Sequence, residues 1–137
     1  MFFHPQGPGC SRCHQVDGRG GRAGPDLSAA GATLSRPRLV ESILLPSREI
    51  APQFVPWLIA KADGTVVTGL LLSESPTGTT TYTDAQGRAF TVGASEVVER
   101  RPAASSLMPE NLVHALTPRE FRDLIAYLRR SDESLGR

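Results

Sequence analysis

"GPGCSRCHQVDGRGGRAGPDL", residues 7–27, holds both cysteines of the chain, Cys10 and Cys13, with His14 directly behind them. A disulfide across a two-residue gap would close a very small loop and add little stability. Redox dithiols of C-x-x-C spacing belong at a strand-to-helix junction. The preceding "HPQGPG", residues 4–9, reads as a turn instead. A tetrahedral zinc site needs two further ligands at motif spacing, and His4 and His114, the other histidines, have no close partner in sequence.

C-x-x-C-H is the reading that uses all three side chains, as the attachment signature of c-type haem. The two thiols add to the vinyl groups of the porphyrin, and His14 is placed beneath the iron. One helical turn puts both sulfurs and the imidazole on one side. A ligating imidazole needs its other ring nitrogen anchored, usually on a backbone carbonyl. Gly24 or Pro25, in "GRAGPDL", can supply that carbonyl. The cofactor-binding set so far is Cys10, Cys13, His14, Gly24 and Pro25, for one covalent haem c with its iron. The "GRGGRAG" tract lacks a phosphate-loop lysine and a following helix pattern, and is read as a loop covering the haem.

These residues, together with Met108-Pro109 in "SSLMPENL" and the helix after it, resemble the class I c-type cytochromes. The stretch "GPDLSAAGATLSRPRLVESILLPSREIAPQF", residues 24–54, is similar to the haem-binding cytochrome domain common in planctomycetes, often found at the end of larger dehydrogenase-like or membrane-anchored chains. The resemblance implies a mainly α cytochrome c fold with an antiparallel β insertion, α+β overall. It also implies His14 and Met108 as the two metal ligands. A soft, neutral thioether favours ferrous iron and raises the reduction potential. The competing readings are a core-filling Met108, or ligation by His4 or His114. With both axial positions filled, the resemblance implies single-electron transfer rather than an enzyme, with a redox partner protein or a fused dehydrogenase domain as counterpart. The alternatives are a haem-based small-ligand sensor or peroxidase-like enzyme with a labile Met108, and an interaction module whose haem is mainly structural.

Met108 lies 94 positions after His14, far more than a minimal class I cytochrome uses. "SRPRLVESILLP", residues 35–46, predicts a helix capped by Ser35 and ended by Pro46, with Leu39, Val40, Ile43 and Leu44 on one face. A short helical turn is expected over 47–51. Beyond Pro52, β-branched and aromatic runs flank Asp63-Gly64 and Gln86-Gly87, which signals hairpins. Residues 54–100 are therefore read as an insertion of four or five antiparallel strands that packs on the haem domain or closes into a small barrel. Trp57 and Tyr82 lie on those strands and are read first as sheet packing, second as haem contacts. Arg36, Arg38 and Arg48 flank the first helix as solvated charge, with one of them a candidate for a haem propionate. Asp17 and Asp26 make no general acid/base pair.

Residues 101–137 are expected to carry the ligand loop and a last helix within one cytochrome domain spanning 1–137. Thr117-Pro118-Arg119-Glu120 is a capping box with proline in the first turn. Phe121, Leu124, Ile125 and Leu128 then repeat at helical spacing. Class I cytochromes begin with a helix that crosses the last one, whereas only nine residues precede Cys10 here. The expectation is a piece of a longer protein, with Met1 only a start residue and the haem attached outside the cytoplasm, in the periplasm or an equivalent space. The alternative is that Phe2 and Phe3 alone cover the last helix. A net charge of +1, spread along the chain, argues against nucleic acid. No apolar run reaches membrane-span length. With fourteen arginines and one lysine, Lys61, a lysine-ringed docking surface is not available. Oligomeric state is not encoded in any of these patterns.

Overall fold

In the computed structural model, which describes residues 2–4 and 6–135, the chain divides into two compact units. One combines Met1–Glu49 with Pro109–Arg137, and the other is Ile50–Met108. Met1, read above as a start residue, lies outside the described residues.

The first unit is helical. A two-stranded ribbon, β1 (Gln15–Val16) and β2 (Arg19–Gly20), precedes α1 (Ala30–Thr33) and α2 (Arg36–Leu44), and α3 (Pro118–Leu135) completes it. The ribbon turns at Asp17-Gly18, both with positive φ (52° and 79°), as a two-residue hairpin loop demands. Ser35 caps α2 by accepting from the Arg38 N–H, and Pro37 sits in its first turn. Leu39 is buried, but Leu44 is 39% exposed and lies outside the apolar face assigned to it. No helical turn forms over 47–51: the Arg48 N–H donates to the Leu45 carbonyl at 3.1 Å in a plain turn, and the next helical turn is Pro52–Phe54, where proline supplies the preset φ of a first helical position.

In α3, Thr117 Oγ1 accepts from the Glu120 N–H at 3.1 Å, and Glu120 Oε2 accepts from the Thr117 N–H at 2.8 Å, so both arms of the capping box are made. Leu124 and Leu128 pack with Phe2 and Val16, while Ile125 packs with Leu39 and Ala30. Phe2 is buried and meets Phe3 edge-on at 4.8 Å, so it covers part of α3. The short α1 was not anticipated from the sequence. It lies so close to α3 that a Cβ at Gly31 would stand 2.6 Å from the Arg129 carbonyl oxygen.

The second unit is a sheet. Strands β3 (Trp57–Lys61), β4 (Val66–Glu74), β5 (Thr80–Thr83), β6 (Ala89–Val92) and β7 (Val97–Pro102) are all antiparallel, in the order β6-β5-β4-β3-β7. Three of its turns share one construction. In 61–64, 75–78 and 84–87 the first carbonyl accepts from a glycine N–H three residues on, and Gly64, Gly78 and Gly87 take positive φ. A side-chain oxygen of Asp63, Ser75 or Asp84 accepts a nearby N–H in each. Ile59, Tyr82 and Val92 form the core, and Tyr82 stacks on Phe90 at 5.5 Å. The end strands β6 and β7 are not bonded to each other, so the ladder does not close into the barrel that was one expectation.

The expectation of a mainly α fold is thereby corrected. Among the described residues there are three α-helices, one of only four residues, beside a five-stranded sheet. The cause is energetic weight: the strands enclose their own buried core, so they stand as a unit and not as an appendage to a helical fold.

Removing buried methylenes from that core should cost stability in proportion. Ile59→Ala is expected to lose about 2–5 kcal/mol, and Thr117→Ala, which removes one arm of the α3 cap, about 1 kcal/mol. Urea unfolding of each variant measures the difference.

Candidate functional site

The Cys10–His14 segment is one tight turn. Gly9, at φ 78°, lets the chain swing into a short 3₁₀ turn, Cys10–Arg12. The Cys10 carbonyl accepts from the N–H groups of both Cys13 (3.2 Å) and His14 (2.9 Å), which closes the backbone around a single oxygen. Both cysteines are half-buried thiols. Cys10 packs against the Phe2, Val16, Leu124 and Leu128 cluster, and burial pushes its thiol above the ordinary value, so it is protonated at neutral pH.

His14 is held by the loop that follows. Its Nδ1 lies 2.8 Å from the Pro25 carbonyl oxygen. A carbonyl can only accept, so Nδ1 carries the proton, and in the neutral ring Nε2 is left with its lone pair. Burial lowers the His14 pKa against the opposing effect of that hydrogen bond, which favours the neutral, ligating form. Of the two carbonyls proposed as anchor, Pro25 supplies it. Gly24 has the other task. A Cβ there would stand 2.6 Å from His14 Cε1 and 2.8 Å from Nδ1, so only glycine lets the chain pass under the ring.

Sequence reasoning missed two further residues of the site. A Cβ at Gly20 would lie 2.0 Å from the His14 carbonyl oxygen, and one at Gly21 1.9 Å from that of Arg12. The Gly21 N–H donates to the Ser11 carbonyl at 2.8 Å, and that of Gly24 to Cys13 at 2.7 Å. The glycine-rich tract therefore lies against the backbone of the cysteine turn. The signal was visible as "GRGGRAG", but its partner was not. Asp26 and Ser28 close the loop: Ser28 donates both its N–H (2.9 Å) and its hydroxyl (2.5 Å) to Asp26 Oδ1, while its Oγ accepts from the Asp17 N–H at 2.8 Å. These bonds hold the exposed Asp26 carboxyl below its ordinary value of 3.8.

The remaining candidates are elsewhere. His4 is exposed, with its Nδ1 accepting from the Gln6 N–H at 3.2 Å, and His114 is exposed in the 3₁₀ turn Leu112–Ala115. Met108 is the last residue of the sheet-bearing unit, half-buried, its N–H donating to Ser106 Oγ at 3.1 Å. Arg38 pairs with Glu41 and Glu49, and Arg48 with Glu41. Tyr82 is fully buried in the sheet, its hydroxyl accepting from Arg100, whose guanidinium lies 4.5 Å over the Trp57 ring. Among the described residues no three His, Cys, Asp or Glu side chains gather as ligands for a bare metal ion.

The turn fits a covalent haem: two thiols, a neutral imidazole with one ring nitrogen anchored and the other available, and a glycine against the ring. The model of the Cytochrome c family matches residues 7–132. No curated protein matches the chain.

Replacing Gly24 by alanine should displace the imidazole and break the bond to Pro25, seen as loss of the hydrogen-bonded His14 Nδ1–H signal in NMR. Ser28→Ala should move the Asp26 titration up toward 3.8. Because the folded-state value is depressed, that contribution to stability is present above 3.8 and lost as pH falls through the lowered value. An NMR pH titration of Asp26 in both proteins checks it.

Proposed function

The chain belongs to the cytochrome c family, haem-binding proteins of electron transfer, and from that premise we propose that it carries one covalent haem and passes single electrons. The observation that carries the reading is the Cys10–His14 turn with its imidazole anchored on Pro25 at 2.8 Å. Haem c, when bound, supplies an iron that cycles between ferrous and ferric states.

The chain's own residues have separate tasks. Cys10 and Cys13 tether the group through their sulfurs. His14 would offer Nε2 to the iron, with Pro25 fixing the ring's tautomer and orientation, which raises its basicity. Gly24 keeps the space beside the ring free of a side chain. On the strength of the Met-Pro motif, Met108 would be the second protein ligand to the iron, its neutral thioether favouring the ferrous state. Residues 54–100 act as an insertion between the two ligands that tunes the potential or offers a docking face, and 101–137 provide the ligand loop and last helix. The electron partner is another protein or a dehydrogenase domain of the same parent chain, outside the cytoplasm where c-type haem is attached. Among the described residues no helix is long and apolar enough to cross a membrane.

A reduced-minus-oxidised spectrum with potentiometric titration tests this. The expected result is a single one-electron wave, a thioether-to-iron band in the ferric protein, and little binding of carbon monoxide by the ferrous protein. Met108→Ala should abolish the band, admit carbon monoxide and lower the potential, within the roughly 0.8 V span that axial ligands command. His4→Ala and His114→Ala should change neither. Ready carbon monoxide binding by the unaltered protein would instead support a small-ligand sensor.

A further inference from the structure

We propose that a groove in the helical unit, lined by Arg36, Arg122, Arg129 and Arg130, binds a multivalent oxyanion, a molecule carrying phosphate or several carboxylates. The groove has a volume of about 380 Å³ and is also lined by Gly31 and Ile125. That is within the range of sites for small ligands. None of these residues belongs to the Cys10–His14 turn or its loop, so the inference stands apart from the haem reading.

Three elements converge to make it. Arg122, Arg129 and Arg130 recur along one side of α3 at seven- and eight-residue spacing, and Arg36 is the first residue of α2. All four are exposed. At Gly31, which lines the groove, α1 meets α3 so closely that a side chain would clash with the Arg129 backbone. Among the described residues no carboxylate lines the groove; the side chains of Asp132 and Glu133 lie outside those described.

Two other arginines of the same unit, one in α2 and one just after it, are matched with acids. Arg38 and Arg48 share Glu41, and Arg38 also reaches Glu49. Among the described lining residues the groove arginines have no such acid. The first turn of α2, which contributes Arg36, also carries no acidic residue, so its positive helix end is not offset there. Four like charges around one concavity repel each other, and an anion of charge two or more relieves that repulsion. Guanidinium forks suit phosphate and carboxylate oxygens in particular, since they bond in pairs.

The test uses the haem-loaded full chain, titrated with inorganic pyrophosphate and, separately, citrate, each against sodium chloride at equal ionic strength. The expected result is saturable binding of at least one probe, amide shifts concentrated at residues 31, 36 and 122–130, and a raised melting temperature. Which probe binds more tightly distinguishes a phosphate-bearing from a polycarboxylate ligand. Arg122→Gln and Arg129→Gln should each weaken binding at least tenfold, while Arg88→Gln, in the sheet-bearing unit, should not. Arg129→Lys, which keeps the charge without the fork, should fall between. Shifts no larger than those with sodium chloride, or unchanged affinity in folded Arg122→Gln and Arg129→Gln proteins, would overturn the proposal. Binding of a polyglutamate peptide without binding of either probe would also overturn it, in favour of an acidic protein partner.

Discussion

A single carbonyl organises the reactive end of this protein. The Cys10 oxygen accepts from both Cys13 and His14, and that turn can form only because glycines lie behind it. Gly20 and Gly21 approach the turn's backbone at distances where any Cβ would overlap a carbonyl oxygen, and Gly24 does the same to the imidazole. The motif is therefore two segments in contact: one bearing the thiols and histidine, the other almost without side chains. The hydrogen bond from His14 to Pro25 then sets which ring nitrogen keeps its lone pair.

Behind that turn the helical unit is assembled by the same economy of size. Cys10 packs on Phe2, Val16 and the Leu124–Leu128 side of α3, so the cysteine turn is continuous with the apolar core. The neighbouring Ile125 joins a second cluster with Ala30 and Leu39. Gly31 lets α1 come close enough for Ala30 to share in that cluster. The crossing that brings α1 onto α3 also leaves the arginines of α3 around an open groove.

The sheet follows a different logic. Its hairpins are specified locally, by three glycine turns each braced by an Asp or Ser oxygen, and its core is closed by Ile59, Tyr82 and Val92. Tyr82 is tied at both ends, its ring on Phe90 and its hydroxyl to Arg100. A domain with that much internal packing does not behave as decoration on a helical fold. This is why weighting the family's helices above the strand signals misjudged the fold class.

Much was legible in the chain alone, because it depends on neighbours in sequence. The C-x-x-C-H spacing, the capping box at Thr117, the Ser35 cap and the Asp63-Gly64 and Gln86-Gly87 turns are all short-range physics. Asp17-Gly18 was equally local and was overlooked, as was the four-residue α1, too short for its periodicity to register. Other features depend on what meets across the fold. That Pro25 and not Gly24 anchors the imidazole, that Gly20 and Gly21 back the cysteine turn, and that β7 returns to β3 follow from which distant segments fit together. A sequence displays the absence of a side chain at Gly24; only the tertiary structure shows that the space so left is filled by His14.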